Sequence, residues 1–207
     1  MQRIVYIDDE EDVVRQFQIT MLDDFDVVGL QLKDNIEEMI DDIIDAKVDG
    51  IVIDYNLNSS QVDIHYTGVD LIKEVLNTMK DFPCYILTSH ESEAEGTLLD
   101  PDYIRDKRFV AENKDFFVHK LKTKIESYEK RIELYKLELI ELSEKHPNLN
   151  SKEEERLIEL DNLLELNSNG YKSLPSEIKK ISNDARLDRL IQLSEALVNE
   201  LREEADD

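Results

Sequence analysis

The stretch Gly50-Ile51-Val52-Ile53-Asp54 constrains this chain more than any other. Three β-branched apolar residues follow one another with no polar break, and the run stops at a carboxylate. A continuous apolar run of this length reads as a strand buried on both faces, which is the habit of parallel sheets. In open α/β sheets, ligands sit at the carboxyl ends of the strands. Asp54 therefore stands where chemistry is expected, and the rest of the chain can be searched for groups that share its edge.

The N-terminus supplies the first of them. Ile4-Val5-Tyr6-Ile7 is a second short apolar run, and it ends in Asp8-Asp9-Glu10-Glu11-Asp12. Val13, Val14, Phe17, Met21 and Leu22 then recur at helical spacing. Glu10, Glu11 and Asp12 suit a first helical turn, where the helix dipole favours negative charge. Asp8 and Asp9 fall at the strand end itself. Residues 25–30 read as another strand. Asn35 to Ala46 carries Ile36, Met39, Ile40, Ile43 and Ile44 on one stripe, an amphipathic helix. After the Asp54 strand comes a long polar loop, then a helix opened by Thr67-Gly68. Cys84-Tyr85-Ile86-Leu87 is a further strand ending at Thr88-Ser89, and residues 91–99 read as a short, weak helix. Alternating strands and helices predict a parallel sheet with helices on both faces. Right-handed crossovers then place Asp8, Asp9, Asp54 and Thr88 on one edge.

From about Asp115 the pattern changes. Phe117, Leu121, Ile125, Tyr128, Ile132, Tyr135, Leu139 and Leu142 recur at steps of four and three, a heptad-type stripe on one long helix. His146-Pro147 ends it. Ser151 caps a second helix bearing Leu157, Leu160, Leu163 and Leu164, and Pro175 opens a third that reaches about Glu203. The expected organisation is an α/β domain over residues 1–125 and an all-α coiled-coil or helical-bundle region over 126–207, its long helix continuous with the last helix of the first domain. The clean heptads favour self-association, and a possible homodimer, over packing within one chain.

Charge excludes one class of function. Against 49 acids stand 25 bases, a net charge of −24. Nucleic-acid affinity rests on Lys and Arg neutralising phosphates, so no nucleic-acid partner is expected. Lys120, Lys122 and Lys124 read as a solvated helix face. The single cysteine, Cys84, reads as a small buried residue and rules out a disulfide framework. No signal peptide and no membrane-spanning apolar run are visible, so a soluble, cytoplasmic protein is expected. His65, His90, His119 and His146 have no metal-binding spacing and read as surface residues.

Three carboxylates held together repel one another unless a cation joins them. Oxygen-only ligands suit a hard ion, and Mg²⁺ characteristically takes one or two carboxylates and keeps several waters. Asp9 and Asp54 are expected to ligate directly, Asp8 through water, with the backbone carbonyl of Asn56 as a further ligand. Asp54 is then the nucleophile towards a phosphoryl group, whose oxygens are shared by the metal, a hydroxyl and a lysine.

Ile4-Val-Tyr-Ile-Asp8-Asp9-Glu10, the Val52-Ile53-Asp54 strand, Thr67-Gly-Val-Asp-Leu-Ile72 and Ile86-Leu-Thr88-Ser89 together resemble the CheY-like receiver domain of bacterial two-component response regulators. The resemblance covers about residues 1–125. It implies a flavodoxin-like, five-stranded doubly wound sheet, Asp54 phosphorylated in a Mg²⁺-dependent way by a histidine kinase or phosphotransfer protein, and Thr88 as the phosphoryl-binding switch hydroxyl. The family also carries a lysine after its fifth strand. Tyr103-Ile104-Arg105-Asp106-Lys107-Arg108-Phe109 is similar to that pattern, without its proline and with one extra residue. Lys107 is preferred, with Tyr103 as the aromatic switch, and Lys114 is the rival. The implied function is a phosphorelay adaptor. It is no enzyme in the ordinary sense, and it signals to an output protein through its acidic helical region. The alternatives are a degenerate, non-phosphorylated receiver acting as scaffold, or a phosphate sink.

Overall fold

A computed structural model describes residues 1–59, 64–89, 101–145, 148–167 and 191–192. Five strands form one all-parallel sheet: β1 (Arg3–Ile7), β2 (Asp26–Gly29), β3 (Gly50–Asp54), β4 (Cys84–Thr88) and β5 (Ile104–Asp106). Their spatial order is β2-β1-β3-β4-β5, the order of flavodoxin-like doubly wound sheets. The run read as buried on both faces is so, every residue of β3 being buried, and every residue of β4 is buried as well.

Alternation along the strands splits the core in two. Ile4, Tyr6, Val52, Tyr85 and Leu87 share one face with Phe17 and Met21 of helix α1 (Glu11–Met21). The opposite face carries Val5, Ile7, Ile51, Ile53 and Ile86, all buried. Two further helices are α2 (Ile36–Asp45), which buries Met39, Ile40 and Ile43, and α3 (Gly68–Thr78), which buries Leu71, Ile72 and Val75. Local chemistry sets their starts. The Asn35 side chain accepts the Glu37 N–H at 2.8 Å, and Thr67 and Asp70 form a reciprocal capping box.

After β5 the chain enters α4 (Lys107–Glu112) at once, then the long α5 (Lys114–Glu144) and α6 (Ser151–Asn167). The chain divides into two units, Met1–Tyr128 and Glu129–Asp207. Within the first unit, Phe117, Val118, Leu121 and Ile125 of α5 lie in the same core cluster as Tyr6, Val52 and Tyr85. The ring of Tyr128 meets Phe82 edge-on at 5.3 Å. The first half of the heptad stripe is therefore spent on the sheet, and the stripe does not run as one uninterrupted seam for a partner helix. Within the second unit, Leu139, Leu142, Leu157, Leu160 and Leu164 are buried. Arg156 binds both carboxylate oxygens of Glu138, at 2.9 and 2.7 Å.

The expected helix at 91–99 and nearly all of the expected third helix lie outside the described residues. Among the described residues no helix is long and apolar enough to cross a membrane.

Candidate functional site

Strand register builds the site as a stair. Ile7 pairs with Ile53, which sets Asp8 level with Asp54. Asp54 pairs with Leu87, so Thr88 lies one step further, and Thr88 pairs with Asp106, the residue before Lys107. Four strand ends thus deliver Asp8 and Asp9, Asp54, Thr88 and Lys107 to one edge of the sheet.

The acids are buried. Asp8, Asp9 and Asp54 are each 6–7% exposed, and one oxygen from each lies within 4.8 Å of the others. A buried carboxylate is stable only if it is hydrogen-bonded or faces a cation. Asp54 Oδ2 accepts the Asn56 N–H at 3.0 Å. The Lys107 ammonium lies 2.5 Å from Asp54 Oδ1 and 3.3 Å from Asp8 Oδ2. Asp8 Oδ1 accepts the Glu10 N–H at 3.0 Å. That bond fixes the turn from β1 into α1, where Glu10 makes no side-chain cap.

Among the described residues, Lys107 is the cation paired with Asp8 and Asp54, one positive charge beside three carboxylates. Burial pushes the Asp54 carboxyl above its ordinary range. Lys107 and the Asn56 amide work against that push, and the charge on Asp8 adds to it. Burial alone would lower the Lys107 pKa, but Asp54 and Asp8 outweigh it and the amine is held protonated. The donor set is all oxygen, inward-facing and excess in negative charge. These residues fit a hard divalent cation, and Asp8, Asp9 and Asp54 could hold one.

Lys107 occupies an unfavourable local position. It is the first residue of α4, where the helix dipole disfavours a cation. Asp106 compensates, its carboxylate accepting the Arg108 and Phe109 N–H groups at 2.6 and 3.0 Å. A local rule broken in this way is a mark of a functional position.

The other expected residues divide. Thr88 is buried at the end of β4. Lys114, the rival lysine, pairs with Asp24 at 2.9 Å instead. Tyr103 closes a short 3₁₀ turn (Pro101–Tyr103), with the Lys124 ammonium 4.1 Å from its ring centre. Asn56 is exposed and contributes its amide to Asp54. His65 and His119 are exposed, and His90 and His146 lie outside the described residues. Cys84 is fully buried, and burial pushes its thiol up to about 12.

Two participants were not singled out from the sequence. The Tyr6 hydroxyl donates to Asp8 Oδ2 at 2.8 Å. A tyrosine inside an apolar strand run reads as core, and its one signal is that it stands two residues before Asp8, on the same side of the strand. Gly68 is the other. A Cβ there would collide with the main-chain carbonyl of Asp54, so the glycine is what lets α3 start hard against the end of β3.

Compared with known families and with curated proteins, the sequence matches no family model and no curated protein.

Proposed function

We propose that the chain is a receiver-type phosphoacceptor protein. The observation that carries this reading is the convergence of Lys107 on Asp54 and Asp8 from the far end of the sheet. A carboxylate cluster alone reads as a cation site. A carboxylate cluster with a lysine beside one central aspartate reads as a site for a transferable anion. Asp54 is the nucleophile: its Oδ bonds to phosphorus as the phosphorus–nitrogen bond of a phosphohistidine breaks, and the histidine ring keeps the departing electron pair. Lys107 and the Thr88 hydroxyl face the phosphoryl oxygens. Asp9 and Asp54, with Asp8 through water and the Asn56 carbonyl, would hold Mg²⁺, and that ion would supply the positive charge that offsets the incoming phosphoryl group. The donor is a histidine kinase or phosphotransfer protein, and the compartment is the cytoplasm. Tyr103 is the aromatic that answers occupancy at Thr88.

Output is through protein contact. The net charge of −24 opposes a phosphate-backbone partner, and α5 and α6 offer helical surface in place of a DNA-reading element. Leu134 and Leu137, 63% and 54% exposed on α5, are where a coiled-coil partner or second copy would pack.

A second reading is favoured by the same ion pair. Lys107 already neutralises Asp54, so the domain is held together with no phosphoryl group, as a non-phosphorylated scaffold requires. Intact mass after incubation with Mg²⁺ and acetyl phosphate separates the two. A phosphoryl adduct present in the wild type and absent in Asp54→Ala supports the receiver. A folded protein with no adduct, and no beryllofluoride binding, supports the scaffold.

A further inference from the structure

We propose that Tyr6 is a positioning residue that sets which divalent cation the acidic site accepts. This rests on the reading of Asp8, Asp9 and Asp54 as a cation site.

The Tyr6 ring is 1% exposed and stacks on Phe17 with centroids 4.1 Å apart. A phenylalanine would fill the same space. The hydroxyl is the part that the core does not need, and it is spent on Asp8 Oδ2. The same oxygen receives Lys107, and Oδ1 receives the Glu10 N–H. An ionised carboxylate offers about four lone-pair sites, and on Asp8 protein donors already occupy three of them, two on Oδ2 and one on Oδ1. Asp54 has two such contacts, from Asn56 and Lys107.

Asp8 is thereby unsuited to bidentate ligation and suited to meeting a cation through water. That asymmetry discriminates between ions. Mg²⁺ keeps several waters and needs few carboxylates, whereas Ca²⁺ takes six to eight oxygens and accepts bidentate carboxylates. A carboxylate locked by a buried phenol favours the first ion. Freed, it adds an oxygen that the second can use. Orienting partners of this kind change metal affinity by about tenfold or more when removed.

The test is titration of the full chain with Mg²⁺ and with Ca²⁺, followed by calorimetry and by tyrosine difference absorption, on wild type, Tyr6→Phe, Asp8→Asn and the double variant. The expected result is that Mg²⁺ perturbs a buried tyrosine in the wild type and that Tyr6→Phe abolishes the signal. The Mg²⁺-over-Ca²⁺ preference should fall about tenfold in Tyr6→Phe, with no further change when Tyr6→Phe is added to Asp8→Asn. Equal preference in wild type and Tyr6→Phe, while Asp8→Asn alters it, would overturn the proposal and leave the cation site standing. If the wild type binds neither ion, the cation-site reading itself falls and takes this proposal with it.

Discussion

The main-chain carbonyl of Asp54 occupies the place where any side chain at position 68 would begin. Gly68 is thus tied to the strand end that carries the central aspartate, and its own N–H donates to the Tyr55 carbonyl at 3.0 Å. Gly68→Ala forces backbone apart in a closely packed place, and overpacking of this kind costs roughly 1–3 kcal/mol. Urea denaturation should show a loss of about that size, and Mg²⁺ affinity should fall with it, because the displaced carbonyl belongs to Asp54. An unchanged midpoint would mean that the α3 start yields freely.

Lys107 has two opposing effects that one substitution separates. Lys107→Met leaves three buried carboxylates without their cation, and the metal-free protein should lose roughly 1–3 kcal/mol at neutral pH, the amine being partly solvated. Removing a positive charge from the same cluster should tighten Mg²⁺ binding several-fold. Phosphoryl uptake should nevertheless drop. Lys114→Met, at the lysine paired with Asp24, should leave Mg²⁺ affinity where it was. Tighter Mg²⁺ binding in the Lys114 variant would reverse the assignment.

The raised pKa of Asp54 reverses the usual dependence of stability on pH. The folded state holds its proton above the ordinary value of 3.8, so between 3.8 and the raised value the folded state binds more protons than the unfolded chain. Stability contributed by this group therefore falls as pH rises through that window. The difference in unfolding free energy between metal-free wild type and Asp54→Asn should drop across the window and level off above it. Protons and cation compete for the same oxygens, so apparent Mg²⁺ affinity should climb with pH over the same range. A wild-type-minus-variant difference that is flat with pH would show that Asp54 titrates as in the unfolded chain.

Ile125 and Leu134 test how the long helix is used. Ile125 is fully buried, and its side chain lies 3.3 Å from where a Cβ on Gly50 would stand. Ile125→Ala should cost about 3 kcal/mol, independent of protein concentration. Leu134→Ala, at a position 63% exposed, should change monomer stability by less than about 0.5 kcal/mol. A concentration-dependent loss at Ile125 would mean that the stripe serves an intermolecular seam after all.

Most of the sheet could be read from the chain because β1, β3 and β4 are unbroken apolar runs ending in polar residues, a pattern that only a doubly covered strand needs. Thr67-Gly68 marks the start of its helix, and the reciprocal capping box of Thr67 and Asp70 is what fixes that start in the structure. The lysine was harder. Lys107 and Lys114 are seven residues apart, and spacing along the chain does not say how it turns after β5. The answer depends on α4 beginning at Lys107 itself and on Asp24 drawing Lys114 away. The heptad stripe leaves its partner open for a related reason: a period of 3.5 reports that a helix has one apolar face, not whether that face meets a sheet or another helix, and Phe117, Leu121 and Ile125 of it meet the sheet. Tyr6 was hidden because a hydroxyl inside a β-branched run looks like packing until a carboxylate is seen to accept it.

Asp8 and Lys107 meet across 99 positions of sequence. Contacts that span so much chain form late, because the entropy of closing the intervening loop must be overcome first. On a ribosome, the acids at the first strand end emerge and collapse well before their counter-charge exists. Until the fifth strand docks, the half-made domain carries three crowded carboxylates and no ammonium to quiet them. Completion of the sheet and maturation of the site are accordingly one event, and a fragment ending before Lys107, which also lacks Phe117, Leu121 and Ile125 of the core, should fail to fold however well its first strands pair.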